Sequence, residues 1–336
     1  MMADLPFPHS LPDFQRLFPD DAACAKYLEA IRFRSGFVCP VCNEAGDPSR
    51  IATRPHVLRC RKCRKETRLM AGTVMQDSHT AMSVWFWGAY LLSSMTPGMS
   101  AVQFQRQLGL TRYETAFQIL HKLRSGMVRP ERDRIGGPLP VEIDETYVGG
   151  RTRGEGKGVH HGIVVAGAVE VCTRKTDDKK GKAAPRRGGR YAGRLRLAVV
   201  PNRTARSLCR FVEDNVEGGT MVVTDAWGGY STLQERGFEH LPVAERNEAR
   251  IAEEYLPLIH LVFSNLKTWI NGVHHGVDPQ HLQAYLNEFT FRFNRRFYPF
   301  NSFRSLLGIA SDAESPTYAS LYDGTHLHPG EYRDSA

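Results

Sequence analysis

Apolar positions recur at helical spacing through the first third of the chain and at alternate positions through its middle. Leu11, Phe14, Leu17 and Phe18 precede an acidic break at Pro19, Asp20 and Asp21, and Cys24, Tyr27, Leu28 and Ile31 follow it. This predicts helical structure over 11–34, with Cys24 a small buried hydrophobe. Met82, Trp85, Phe86, Ala89, Tyr90 and Leu91 predict an aromatic helix over 80–96, ended by Pro97 and Gly98. Residues 100–123 read as helix, glycine turn at Gly109, helix. Ser100 suits the first cap, and Thr111 the second, with Glu114 in the capping-box position. This is a helix-turn-helix outline, which an ordinary pair of packed helices shares. Residues 126–138, with Pro130 and Gly136-Gly137-Pro138, read as a linker.

Beyond the linker the period changes to two. In 139–150, Leu139, Val141 and Ile143 form one strand face, closed by Gly149-Gly150. Residues 162–171 and 194–200 predict the second and third strands. The basic stretch 174–193 between them, rich in Gly, Ala and Pro, reads as a long hairpin tip. An amphipathic helix over 204–215, a strand over 219–225, a short helix over 231–237 and a short strand over 238–243 follow. A helical region over 248–269 comes next, then a last helix over 280–297 that carries Arg292, Arg295 and Arg296. Residues 310–336 carry little pattern. Three strands, helix, strand, helix, strand, helix is the element order of a ribonuclease-H-like α/β core.

Composition narrows the partners. With 41% hydrophobic and 24% charged residues in 336, the chain reads as a soluble globular protein of two or three domains. The most apolar window, 84–95, is too short to span a bilayer, and no basic-then-apolar leader opens the sequence, so a cytoplasmic location is expected. A formal charge of +8 favours a polyanion. Seven cysteines are an odd number. Four of them form two close pairs, Cys39/Cys42 and Cys60/Cys63, with seventeen residues between the pairs. Such knuckles place four thiolates around one zinc ion and leave it no open position for catalysis, so the zinc is expected to be structural. Arg61, Lys62, Arg64 and Lys65, with Arg59 and Arg68, cluster at the second knuckle and suit phosphate contacts. Gln118, Lys122 and Arg124 are candidates for DNA contact from the second helix of the helix-turn-helix outline.

The chemistry points to two aspartates. Asp144 lies in a strand beside apolar neighbours, where a carboxylate is rarely buried unless it is paired or binds metal. Asp225 ends a second apolar strand. If those strands are neighbours, the pair could share two divalent cations about 3.5–4 Å apart, the arrangement used for in-line phosphoryl displacement. Glu142 and Glu145 receive no role.

Val141-Glu142-Ile143-Asp144-Glu145-Thr146-Tyr147-Val148-Gly149-Gly150 is one long motif. Thr224-Asp225-Ala226-Trp227-Gly228-Gly229-Tyr230 is a second, and the stretch from Asn265 and Lys267 through His274, His275, His281, Glu288 and Asn294 is a third. With the zinc knuckles, these resemble the bacterial insertion-sequence transposases of the zinc-ribbon DDE branch, ISXO type. The resemblance implies a retroviral-integrase-like core that cuts and joins DNA. Water attacks first, and the freed 3′-hydroxyl then attacks target DNA. It also implies a third catalytic residue seven positions before a lysine. Counting back from Lys267 gives His260, where other members carry Asn or Glu; Glu253 and Glu254 are rivals on the same segment. Asp144, Asp225 and His260 would then hold two Mg2+ or Mn2+ ions, with Lys267 on a DNA phosphate.

The expected organisation is N-terminal helices and a zinc ribbon over 1–78, a helix-turn-helix segment over 79–128, a catalytic domain over 136–300 and a C-terminal tail over 301–336. The expected partners are double-stranded DNA of transposon ends and target, and further copies of the chain once assembled on DNA, at the nucleoid. Two rival functions share these features. One is a structure-selective nuclease with the same core, and the other is a zinc-ribbon DNA-binding regulator with an inactive core.

Overall fold

The computed structural model describes residues 5–129, 131–149, 162–174, 189–243 and 255–332. The chain sorts into two compact units, Met1–Arg129 with Arg295–Leu327, and Pro130–Asn294 with His328–Ala336.

The first unit opens with helices α1 (Leu11–Leu17) and α2 (Asp21–Arg32). Ser10 caps α1 and Asp20 caps α2, each accepting a hydrogen bond from the amide three residues on. A three-stranded antiparallel sheet follows, β1 (Ser49–Ile51), β2 (Arg54–Arg59) and β3 (Glu66–Arg68). Helix α3 (Met82–Ser94) carries the aromatic pattern, and α4 (Ala101–Gln107) and α5 (Tyr113–Ser125) form the helix-turn-helix outline. Ser100 caps α4 as expected, accepting from the Gln103 amide at 3.2 Å. Gly109, at φ +61, turns the chain in a conformation that a side chain disfavours. The second cap differs from expectation: α5 begins after Arg112 with no side-chain cap, so Thr111 and Glu114 form no capping box.

Helix α5 also corrects the expected DNA contacts. It packs against α3 and α4, and from Ile119 onward its side chains are buried on every face. Arg124 is 1% exposed, and Lys122, 8% exposed, donates from Nζ to the Gln76 carbonyl at 3.0 Å. Gln118 is half-buried. Lys122 and Arg124 therefore support the interior of this unit and are not presented to DNA. A charged residue near the end of an amphipathic pattern looks exposed from the sequence, yet a helix packed on several sides buries it.

The second unit is built on a five-stranded sheet: β4 (Val141–Gly149), β5 (Gly162–Thr173), β6 (Arg190–Val199), β7 (Met221–Asp225) and β8 (Glu239–Val243), in the order β6-β5-β4-β7-β8. The first three pair antiparallel, and β7 and β8 run parallel to β4. Alternation on β4 sends Val141 and Ile143 to one face. There they meet Leu208, Phe211 and Val212 of α6 (Ala205–Asn215). The opposite face, with Val148, Val165 and Val169, is covered by α7 (Pro257–Trp269) and α8 (Leu282–Asn294). This is the ribonuclease-H-like α/β core the element order predicts. Residues 231–237 form turns rather than the expected helix, and most of the basic hairpin tip, 175–188, lies outside the described residues.

The chain's last part departs most from expectation. In place of a tail, residues after 298 form α9 (Pro299–Asp312) and α10 (Tyr318–Tyr322). Helix α9 packs against α2 and α3, and its buried Phe303 meets the rings of Phe14, Phe18 and Phe86 at centroid distances of 5.9, 5.4 and 6.0 Å. Seeing this from the sequence would have required pairing residue 303 with residue 14. Arg292 is likewise engaged, lying over the Trp269 ring at 4.9 Å beside Glu288. Burial lowers the Arg295 guanidinium to about 10.

Candidate active site and zinc ribbon

The parallel register of β4 and β7 places the two aspartates. Val141 pairs with Val222 and Glu142 with Val223, so two residues further on Asp144 and Asp225 stand at the same level on neighbouring strands. Val223 packs in the cluster under α7 and α8, and Asp225 shares its side of the sheet by alternation. Candidate ligand oxygens of Asp144, Glu145 and Asp225 all lie within 4.8 Å of one another.

Helix α7 brings His260 to this cluster, with Nε2 3.2 Å from Asp144 Oδ2. Two neighbouring ligands of an octahedral ion, each at about 2.1 Å, stand roughly 3 Å apart, so this spacing suits donors to one cation. Burial, and next the charge of Glu145, push the Asp225 carboxyl up to about 6, with Asp144 adding to the shift. Three carboxyls this close repel one another, and a bound cation would relieve that repulsion. The donor set therefore fits a hard divalent ion. Lys267 lies two turns beyond His260 on the same face of α7 and is exposed. Glu253 and Glu254 lie outside the described residues.

Two glutamates without an expected role are structurally committed. Glu142, 1% exposed, crosses from β4 to the start of α7, where its Oε2 accepts from the amides of Leu258 and Ile259 at 2.8 and 2.9 Å. Burial pushes its carboxyl upward. Glu145 faces the other side of the sheet. It accepts from Tyr230 Oη at 2.5 Å on Oε2 and from Arg203 Nε at 2.6 Å on Oε1. Gly167, the cross-strand partner of Asp144, makes room for α7: a Cβ there would stand 2.8 Å from Phe263 and 2.9 Å from Ile259. Glu142, Glu145 and Tyr230 lay within the quoted Val141–Gly150 and Thr224–Tyr230 motifs, whereas Gly167 and Arg203 carried no sequence signal.

In the ribbon, two knuckles repeat one hydrogen-bond pattern. The Cys39 amide donates to Glu44 O and the Asn43 amide to Cys39 O; the Cys60 amide donates to Lys65 O and the Arg64 amide to Cys60 O. Asn43 and Arg64 take the left-handed conformation, at φ 54 and 61, that closes each knuckle. The sulfurs of Cys39 and Cys63 are 3.6 Å apart, and those of Cys42 and Cys60 3.7 Å. Thiolates at about 2.3 Å from one zinc ion in a tetrahedron stand roughly 3.8 Å apart, so the set fits zinc closely. The amides of Cys42 and Val41 hold the Cys39 thiol down at about 6, and the Cys63 amide lowers Cys60. Arg61, Lys62, Arg64 and Lys65 are all exposed, Arg61 pairing with Asp47 and Lys62 with Glu44.

The ribonuclease-H-like core carries an acidic cluster where the end of β7 meets the middle of β4, and the same chain carries a four-cysteine ribbon. Two family models match: the ISXO2-like transposase domain over residues 135–294 and the transposase zinc-ribbon domain over residues 19–66. Together they cover more than half of the chain, which belongs to the zinc-ribbon insertion-sequence transposases. A curated relative, an uncharacterized protein in transposable element ISH50 of Halobacterium salinarum, is 27% identical over 135 residues, 40% of this chain. The match spans 44% of that relative's length. No solved structure matches. Among the described residues no helix is long and apolar enough to cross a membrane.

Proposed function

We propose that this chain binds the inverted repeats at transposon ends and catalyses metal-dependent DNA strand cleavage followed by strand transfer. The observation that carries this reading is the meeting of Asp144 and Asp225 at one level of the sheet, with His260 Nε2 3.2 Å from Asp144. In this reading Asp144, Asp225 and His260 hold two Mg2+ or Mn2+ ions, which supply charge neutralisation at the reacting phosphodiester when bound. An imidazole in place of a third carboxylate removes one negative charge and offers a softer donor, which favours Mn2+ over Mg2+. Both Glu145 oxygens already accept hydrogen bonds, from Arg203 and Tyr230, so in this reading Glu145 supports the site.

In the first step a water oxygen bonds to phosphorus at the transposon end, and the 3′-oxygen departs and takes up a proton. In the second, that 3′-oxygen bonds to a target phosphorus and displaces the target's own 3′-oxygen. Each step exchanges one P–O bond for another, so no further energy source is needed. Lys267 meets a backbone phosphate near the reacting one. Arg61, Lys62, Arg64 and Lys65 form the ribbon's phosphate-contacting face; their surface ion pairs are weak enough to exchange for DNA.

The test uses a labelled duplex of the flanking inverted repeat with Mn2+. The full chain should nick at the repeat's end and join pre-cut ends to a target. Asp144→Asn, Asp225→Asn and His260→Ala should each lose about a hundred- to a thousand-fold or more in rate while retaining end binding. Nicking without joining would replace transposition with a nuclease activity, and no nicking would leave a DNA-binding regulator.

A further inference from the structure

Trp227 stands two residues beyond Asp225 and keeps 45% of its surface exposed. It is nevertheless held firmly. Its indole Nε1 donates to the Arg203 carbonyl at 3.1 Å, and its backbone amide donates to Asp225 Oδ1 at 3.2 Å. The Arg203 guanidinium lies 4.3 Å from the ring centroid and is anchored in turn on Glu145. Guanidinium, indole and acidic cluster thus form one connected structure at the end of β7.

An exposed tryptophan contributes little to a core. Immobilising it beside a carboxylate cluster, with a cation over one face, presents the remaining aromatic surface to whatever occupies that cluster. The occupant must be flat and apolar on its face, and a nucleobase meets that requirement. A base within a duplex is already covered by its neighbours, so a base that stacks on Trp227 must have left the helix.

We infer that Trp227 is a stacking platform for one unpaired nucleobase beside the scissile phosphate. This rests on the reading of Asp144 and Asp225 as the site of DNA cleavage. The substrate end is therefore opened by at least one base pair before the phosphodiester reacts. Stacking is indifferent to base identity, so the subsite selects an open end and reads no sequence.

The experiment measures binding, so it does not depend on turnover. Full-length Asp144→Asn protein is titrated, by fluorescence anisotropy with Ca2+, into two inverted-repeat duplexes. In one, the nucleotide flanking the cleavage position is mismatched; in the other it is abasic. The protein should bind the mismatched end about ten-fold or more tightly than the abasic one. Adding Trp227→Ala should abolish that preference, and Trp227→Phe, which keeps a ring, should retain most of it. A purely structural role would weaken both duplexes equally and leave the preference intact, which would overturn the inference. Equal binding of both duplexes by the Trp227-containing protein would overturn it as well. Failure to bind either duplex would instead remove the reading of the chain as an end-binding transposase, and the inference with it.

Discussion

The Glu142 carboxylate accepts a hydrogen bond from the Ile259 amide at 2.9 Å, one residue before His260. A side chain on the strand that carries Asp144 thereby fixes the start of the helix that carries His260. The first-turn amides of a helix have no partner within it and attract an acceptor or a negative charge. Glu142 supplies that acceptor from the sheet, so the distance between strand and helix is set by a buried contact.

Glu142→Ala should leave the Leu258 and Ile259 amides buried without this acceptor and cost about 1–3 kcal/mol. Glu142→Gln keeps an acceptor oxygen and should lose much less. Urea unfolding of the two variants compares them directly. Equal losses would mean that charge, and not the hydrogen bonds, anchors α7.

Gly167→Ala tests the same distance from the other side. Its Cβ would press on Ile259 and Phe263, so α7 must shift outward or the side chains must leave their rotamers. A destabilisation of about 1–3 kcal/mol is expected. Cleavage should fall by more than stability alone explains, because His260 moves with the helix. Unchanged melting and unchanged cleavage together would show that the helix has slack.

Acid should weaken the second unit through Glu170. Burial alone would raise this carboxyl, but hydrogen bonds from the Arg194 side chain and from the amides of Gly136 and Arg194 outweigh burial and hold it below its ordinary value. A carboxyl depressed in the folded state stabilises fully above its unfolded value, about 4.3, and that stabilisation is lost as pH falls through the folded value. Glu170→Gln should therefore be less stable at pH 7 and lose less stability on acidification. Unfolding midpoints measured from pH 7 to pH 3 would show two converging curves; parallel curves would assign the acid sensitivity elsewhere.

The ribbon should carry one zinc ion per chain. Cys42→Ser or Cys60→Ser should lower the zinc content measured by atomic emission well below one equivalent and weaken end binding. The ribbon's small sheet relies on the metal for its folding free energy, whereas the core has two apolar clusters of its own. Its unfolding transition should therefore survive chelation. Full zinc retention in both variants would rule out the four-thiolate set.

The chain's local chemistry was legible because it is written in short spacings. Two Cys-x2-Cys knuckles, the period-two run around Asp144 and a strand ending on Asp225 are each readable within a few turns or strands, whereas His260 was reached only through the family resemblance. Element order conveyed the core for the same reason. The misreadings share the opposite cause. Lys122 and Arg124 looked exposed because a helical wheel shows one face at a time, whereas packing around α5 buried them. Phe303 looked like part of a tail because the rings it meets lie more than two hundred residues earlier.

Glu142, Glu145, Gly167 and Arg203 went unassigned because each acts across the fold. By itself the sequence determined the four-cysteine set of the ribbon and the order in which the elements of the core come. The tertiary structure alone decided that parallel pairing of β4 with β7 brings Asp144 level with Asp225, and that Glu142 and Gly167 set the seat of α7 against them. Those decisions rest on contacts between residues 80 to 120 positions apart, and no local pattern in the chain encodes contacts at that range.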